Sequence, residues 1–353
     1  MKKITNFKSI LAFALCAVML LTAMLALSSC KGEKFYFELS EDKTYYTITG
    51  YSGKSESPEI PATHKNLPVK EIGREVFKDN EKITSIVIPA SIDTIGFKAF
   101  EGCTALTSVT ISVGVKTIDK AAFAACTSLT EVVIPEGITA IDDAVFQDCT
   151  ALTTVGIPES VTNVSSYAFI GCSKLDTINV DAKNHHYAVK NNCLIDLENN
   201  ILVIGMKDAT IPESLGIVSI AATAFYGRAI ENIVIPGTVK SIGTLAFYGC
   251  KNLESVEILG AQTIADYAFT DCPLLRKMVL SSEVSEIGEH AFSSLPKLTN
   301  VFYIGRADEF NTTKMGEGNN DLTKANIYFY TDEEPAGEGK YWHYVDGIVT
   351  IWF

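Results

Sequence analysis

The sequence has little positive charge and no run of basic residues. Its 353 residues include 29 Lys and Arg against 42 Asp and Glu, which gives a net charge of −13. Nucleic-acid binding and polybasic attachment to a membrane surface both depend on clustered Lys and Arg. The composition therefore argues against both. Nine cysteines are also too few, over this length, for a small disulfide scaffold.

The sequence also lacks the motifs that mark common catalytic sites. It contains no G-x-S-x-G, Walker A or H-E-x-x-H sequence, and no G-x-G-x-x-G that follows a strand. Of the five histidines only His185 and His186 are adjacent, near Asp181, and neighbours on a strand point to opposite faces. A polar loop explains this group better than a metal site. The sequence predicts no enzyme, no metal and no cofactor, although counting residues does not exclude a Ser/His/Asp triad.

The N-terminus resembles a bacterial lipoprotein signal. Lys2, Lys3 and Lys8 precede an apolar stretch over residues 10–27, and Leu27-Ser28-Ser29 leads directly to Cys30. This resemblance implies that residues 1–29 are removed and that Cys30 is acylated, so that the protein is exported and anchored to the cell envelope by lipid. A plain signal peptide or a transmembrane anchor are the alternatives. Loss of the three lysines changes the net charge to −16.

What the chain does contain is a repeat. Nine phenylalanines recur at intervals of 22 or 23 residues, with one interval of 56. They are Phe77, Phe100, Phe123, Phe146, Phe169, Phe225, Phe247, Phe269 and Phe292. A fixed period in this range is typical of a solenoid, in which each unit buries its apolar side only against its neighbours.

Two kinds of local pattern alternate within each unit. Leu106, Val109 and Ile111 form an L-x-x-V-x-I pattern that predicts a short strand with one buried face. Residues 95–103 carry apolar side chains at spacings of three to five, which fits one helical turn on the other side of the coil. The predicted fold is a leucine-rich-repeat-like solenoid of 22–23 residues per rung, mainly β, with short helical turns opposite the strands.

The unit I-G-x-x-A-F-x-x-C-x-x-L-x-x-V-x-I-P resembles the BspA-type leucine-rich repeat of bacterial surface proteins. The flanking segments 46–51, 328–330 and 341–344 resemble the terminal segments of that family. The resemblance implies a cell-surface or secreted protein, and adhesion for several members. It brings no catalytic residues.

These patterns divide the chain into five parts. A tether over 30–40 follows the signal peptide, an N-terminal cap spans 41–70, the solenoid spans 71–303 and a C-terminal cap spans 304–353. The long interval places an irregular insertion at 181–216, where strand-like runs around Glu198-Asn199-Asn200 predict a projecting hairpin. Aromatic residues at 341–344 and 352–353 favour a cover for the last rung over a binding platform.

The repeat also aligns the cysteines. Cys103, Cys126, Cys149 and Cys172 are one unit apart, and Cys250 and Cys272 continue the column. Stacked rungs bring such residues within disulfide range, but parallel side chains point the same way and not at each other. Buried small apolar residues are the better interpretation.

The solvent side of the long strands is the candidate binding face. One column runs through Ser85, Ser108, Glu131, Thr154, Thr177, Asn232, Ser255, Lys277 and Asn300. The other runs through Val87, Thr110, Val133, Gly156, Asn179, Val234, Glu257, Val279 and Phe302. The ten residues selected as a binding face are Glu131, Val133, Thr154, Thr177, Asn179, Asn232, Val234, Ser255, Glu257 and Lys277.

This neutral, flat ribbon suits an extended protein or glycan contact, whereas a solvated sheet face of ordinary β-propensity is the plain alternative. The predicted function is a non-enzymatic cell-surface binding protein that contacts the membrane only through its lipid. A structural or assembly component of the same cell's envelope is the alternative function.

Overall fold

The structure is a computed structural model that describes residues 33–335 and 339–352. The predicted signal peptide over 1–29 and the predicted lipidation site at Cys30 lie outside the described residues.

The chain winds as a solenoid in which each turn contributes one long and one short strand. Equivalent strands of successive turns pair in parallel, so that the two kinds of strand form separate sheets along the coil. In-register stacking follows from the sequence period, because each unit presents the same apolar positions to the next. The predicted mainly-β repeat solenoid is confirmed.

A first block of turns precedes the insertion. Its long strands are β5 (Ser85–Ile88), β7 (Ser108–Ile111), β9 (Glu131–Val133), β11 (Thr154–Ile157) and β13 (Thr177–Val180). Its short strands are β6 (Thr94–Ile95), β8 (Thr117–Ile118), β10 (Ala140–Ile141) and β12 (Asn163–Val164).

A second block follows the insertion. Its long strands are β18 (Asn232–Ile235), β20 (Ser255–Ile258), β22 (Lys277–Ser281), β24 (Asn300–Ile304) and β26 (Asn326–Tyr330), with β27 (Tyr341–Val345) and β28 (Ile348–Ile351) extending the same sheet. Its short strands are β17 (Ser219–Ile220), β19 (Ser241–Ile242), β21 (Thr263–Ile264), β23 (Glu286–Ile287) and β25 (Lys314–Met315).

The N-terminal part begins earlier than predicted. Strand β1 (Lys34–Leu39) pairs antiparallel with β2 (Tyr46–Ser52), and β2 pairs in parallel with β4 (Leu67–Ile72), which also carries β3 (Thr63–His64). Residues 34–39 are therefore a strand and not part of a tether. The alternation of Phe35 and Phe37 with polar residues places both rings against the core.

The core contains the predicted file of phenylalanines, divided into two stacks. Adjacent rings lie 4.7 to 5.8 Å apart between centroids, with planes within 12° of parallel. One stack runs from Phe77 to Phe169 and the other from Phe225 to Phe292. The rings hold the turn side of each rung against the next.

The turn side of each rung consists of consecutive tight turns that never extend into a helix. In the unit around Phe100, the backbone N–H groups of Ala99, Glu101 and Cys103 each bond to the carbonyl three residues earlier. Lys98 and Gly102 have φ values of +57° and +72°. A left-handed residue on each side of the phenylalanine interrupts a right-handed helix, so each helical turn stays single.

The insertion is a buried β-meander and not a projecting hairpin. Strands β14 (Tyr187–Lys190), β15 (Cys193–Asp196) and β16 (Ile201–Gly205) pair antiparallel, and β16 then pairs in parallel with β17. The side chains of β15 and β16 are buried in two hydrophobic clusters, one formed mainly by the first block and the other by the second block. The apolar run at 201–204 explains the burial, since a continuous apolar stretch fits a strand covered on both faces.

The meander ends the first block with side-chain groups in place of another rung. The Tyr187 hydroxyl accepts a hydrogen bond from Val164 N–H at 2.9 Å. Buried Asn184 donates through Nδ2 to the carbonyls of Pro158 and Val161, at 2.8 and 2.9 Å. These contacts satisfy backbone groups that the missing rung leaves unpaired.

Arg228 occupies the cysteine position of the first rung after the meander. It is buried, its Nη1 donates to the Cys172 carbonyl, and its Nε has no partner among the described atoms. Burial lowers the pKa of its guanidinium. The residue joins the two blocks across the interval where the phenylalanine file is broken.

The C-terminal end of the core is closed by two short helices, α1 (Ala307–Phe310) and α2 (Asn320–Lys324). Buried Asn319 accepts the Phe292 N–H through Oδ1 at 2.8 Å. Its Nδ2 donates to the carbonyls of Gly288 and Gly316, at 2.8 and 2.9 Å. The Asn319 side chain therefore bonds to backbone groups at the end of the second block, as the Asn184 side chain does at the end of the first block.

Candidate binding surface

We call the side of the long strands that points away from the core the outer face. The predicted columns of this face are in register within each block. Thr154 lies opposite Glu131 and Thr177 in the first sheet. Ser255 lies opposite Asn232 and Lys277 in the second sheet. All ten selected residues are exposed or partly exposed.

The outer face is not one continuous ribbon. Strand β13 pairs only with β11, and β18 pairs only with β20, so each is an edge of its own sheet. The strands of the meander join the short-strand sheet instead, which leaves the two long-strand sheets unconnected. The first surface contains Glu131, Val133, Thr154, Thr177 and Asn179, and the second contains Asn232, Val234, Ser255, Glu257 and Lys277.

A groove opens where the second sheet begins. A cavity of about 410 Å³ lies between residues 209–213 and the outer face of β18 and β20. We call this cavity the β18 groove. It is lined by Ala209, Thr210, Ile211, Glu213, Asn232, Ile233, Val234, Pro236, Ser255 and Glu257.

Four of the ten selected residues line the β18 groove, and the opposite wall was missed by the sequence reasoning. This wall, residues 209–213, could have been predicted from the sequence, because Ile211-Pro212 repeats the Ile235-Pro236 pair that ends the long strand of the next rung. Residues 209–213 therefore stand where the preceding long strand belongs. They are not a strand, and among the described residues no backbone hydrogen bond joins them to β18.

The polar groups of the groove are arranged on neighbouring strands. The Ser255 hydroxyl donates to Asn232 Oδ1 at 2.6 Å. Lys277 Nζ lies 4.0 Å from Glu257 Oε1, and both side chains are about a third exposed, so this ion pair is weak. The surface can offer amide, hydroxyl and carboxylate groups to a ligand.

The far end of the second outer face is covered by aromatic side chains. Val279 and Phe302, which the column pattern places in solvent, are buried. Trp342 packs edge-on against Phe302 at 5.7 Å and donates its Nε1–H to the Tyr303 carbonyl at 3.0 Å. Strand β27 pairs with β26, the last long strand of the solenoid, and the Trp342 side chain also covers part of the outer face at β24.

This aromatic cover reaches back toward the groove. Tyr344 packs against Trp342 with ring centroids 4.9 Å apart. Burial raises the pKa of Tyr344, and the negative charge of Glu257 raises it further. Glu257 therefore lines the β18 groove and also acts electrostatically on Tyr344 of the cover.

Comparison with known families agrees with this geometry. A family model described as the BspA type leucine rich repeat region matches residues 70–199 and 206–326, in six copies. The chain belongs to this family. A search of curated proteins gives no significant match.

Three solved structures of bacterial proteins are similar to this BspA-type repeat protein. The pneumococcal vaccine antigen PcpA is 19% identical, with a TM-score of 0.62 over 86% of this chain and 87% of that chain. A leucine-rich repeat protein from Eubacterium ventriosum is 19% identical, with a TM-score of 0.57 over 89% and 96%. A leucine rich cell surface protein from Faecalibacterium prausnitzii is 27% identical, with a TM-score of 0.45 over 81% and 98%. At these identities, PcpA and the Eubacterium protein show the fold alone.

The cysteine column of this BspA-type protein consists of free, buried thiols. Each thiol of the column donates a hydrogen bond to the backbone carbonyl of the phenylalanine in the preceding rung, as Cys103 does to Phe77. The Sγ–O distances are 3.0 to 3.2 Å. None of the seven cysteines within the described residues forms a disulfide. Burial raises the pKa of Cys103 to about 12. Because all six thiols of the column are buried, the column is part of the core.

The remaining candidates for chemistry give no site in the described part of the chain. No group of three or more His, Cys, Asp or Glu side chains there is placed to hold a metal ion. The His290 ring stacks on the Tyr267 ring, with centroids 5.2 Å apart. None of the described helices has the length and apolar character that crossing a membrane requires.

Proposed function

We propose that this chain is a non-enzymatic binding protein of the bacterial cell surface, held to the envelope by a lipid on Cys30. The observation that carries the proposal is the outer face of the long strands. Its polar and β-branched side chains are aligned in register over five strands of the first sheet and over four strands of the second, and most of them are open to solvent. A repeat scaffold of this kind supplies an extended contact surface for another macromolecule.

The ligand of this surface is a protein or a glycan. The outer face carries no basic cluster, and the acidic net charge of −13 opposes binding to nucleic acid. The family model that matches the chain brings no catalytic residue set, and the described residues offer no metal cluster.

Binding assays with two sets of outer-face variants test the proposal. The purified protein is immobilised and screened against host matrix proteins and a glycan array. One variant carries Thr154→Ala and Thr177→Ala in the first sheet, and the other carries Asn232→Ala and Ser255→Ala in the second. A ligand that binds the unmodified protein and is lost from one variant supports the proposal. If no ligand binds above the level of the variants, adhesion through this face is wrong.

Cross-linking on intact cells separates the two kinds of partner. Capture of only same-cell envelope proteins favours the alternative function as a structural or assembly component. The lipid anchor is tested separately by Cys30→Ala, which we expect to release the protein from the membrane fraction and to abolish labelling with radioactive palmitate.

A further inference from the structure

The β18 groove interrupts a ladder that is otherwise continuous along each block. Inside each block a long strand pairs in parallel on both sides, whereas β13 and β18, which flank the interruption, each pair on one side only. The segment at 209–213 lies where the preceding long strand would be, but in the described part of the chain it forms no backbone hydrogen bond with β18. Thr210 N–H bonds to the Asn191 carbonyl at 3.1 Å, on the side of the meander.

The free edge of β18 presents backbone groups to the groove. Glu231 and Ile235 accept hydrogen bonds from the β20 side, from the N–H groups of Ser255 and Leu259. Backbone groups alternate along a strand, so the N–H and C=O of Asn232 and Val234 point to the other edge. An edge of this kind is a template for one further strand.

The geometry points to an extended polypeptide segment that adds to β18 inside the groove. This inference deepens the proposed function, on which it rests, by naming the ligand class and the site. Backbone hydrogen bonds to Asn232 and Val234 hold the segment, and side chains on the outer face select it. A regular solenoid rung offers no such edge, because the next rung occupies it.

The charge of the groove selects a basic segment. Glu213 and Glu257 lie on opposite walls of the cavity. Among the ion pairs of the described residues, Glu213 takes part in none, and the pair of Glu257 with Lys277 is long at 4.0 Å. A Lys or Arg of the incoming segment can therefore pair with these carboxylates, and the acidic net charge of the chain favours its approach.

Two variants of one residue separate backbone pairing from side-chain contact. Val234→Pro removes the edge N–H and leaves the bonds to β20 intact, since proline is tolerated on the open side of an edge strand. Val234→Ala removes the side chain and keeps the N–H. A displayed library of random heptapeptides is selected on the purified protein, and circular dichroism with thermal unfolding verifies that each variant is folded.

We expect enriched peptides to carry Lys or Arg, to bind Val234→Ala within threefold of the unmodified protein, and to bind Val234→Pro at least tenfold more weakly. Hydrogen exchange at residues 232–235 should slow when an enriched peptide binds. Equal binding to both variants, or protection confined to other residues, overturns the inference.

The failure of this inference differs from the failure of the proposed function. If no peptide is enriched while a matrix protein or an arrayed glycan still binds the outer face, the strand addition is wrong and the proposed function stands. If Glu257→Gln and Glu213→Gln leave the affinity of a basic peptide unchanged, its selection by charge is wrong.

Discussion

Truncation of Phe123 tests the stacked core directly. The Phe123 ring is fully buried between two parallel rings, 5.1 Å from Phe100 and 5.8 Å from Phe146. Phe123→Ala removes the ring and leaves a void that the two neighbours cannot fill, since each is held in its own rung. The change therefore weakens two interfaces at once.

The magnitude follows from burial and from the ring contacts. Burial of a phenylalanine side chain contributes about 1.5–3 kcal/mol, and each aromatic pair contributes about 0.5–1.5 kcal/mol more. With a void left behind, loss of a buried phenylalanine costs about 3–5 kcal/mol in other cores. We expect the free energy of unfolding of Phe123→Ala to fall by that amount.

Urea unfolding followed by circular dichroism measures the change. Thr127→Ala, at an exposed position of the same rung, is the matched control and should lie within about 0.5 kcal/mol of the unmodified protein. Hydrogen exchange should increase most in the rungs on either side of Phe123, because solenoid rungs interact with their nearest neighbours. A loss below about 1 kcal/mol would refute the assignment of Phe123 to a tightly packed core.

Four further predictions concern other parts of the molecule. Asn319→Ala should lower the free energy of unfolding by about 2–3 kcal/mol, because it leaves buried backbone groups unpaired, whereas Asn320→Ala at an exposed position should be near neutral in thermal unfolding. Gly205→Ala should cost about 1–3 kcal/mol by the same measurement, since its Cβ would lie 2.0 Å from Phe225 Cε1, whereas Gly237→Ala meets nothing closer than 3.9 Å and should be tolerated. The buried cysteines should resist iodoacetamide at pH 8 until urea unfolds the protein, as intact mass reports. Because burial raises the pKa of Cys103 from 9.0 to about 12, stability should fall as the pH rises through this interval, and Cys103→Ala should make the fall shallower.

The repeat spacing predicts most of the fold because each rung obeys the same local rules. A strand, a tight turn and one aromatic anchor fit in 22 or 23 residues, so a fixed period implies a fixed stacking. The stack from Phe77 to Phe169 and the buried thiols both follow from it. Even β1 carries a signal of its own in the alternation of Phe35 and Phe37 with polar residues.

The irregular parts were less predictable, since each depends on contacts between distant residues. No local pattern states that Trp342 packs on the outer face of β24, because this requires β27 to extend the long-strand sheet. The burial of the meander similarly depends on distant residues, because its side chains pack against the hydrophobic clusters of both blocks. The residues that line the β18 groove come from three segments of the chain, of which β18 and β20 follow the columns and residues 209–213 do not.

The irregular rung is the part of this solenoid most suited to a specific function. Regular rungs pair their edges with one another and offer only side chains to a ligand. The meander ends one block with Asn184 and Tyr187, begins the next through β16, and leaves the edge of β18 unpaired. The edge of β18, beside the carboxylates of Glu213 and Glu257, is therefore the place where we infer that a ligand adds a strand, whereas the regular rungs supply the stacked core.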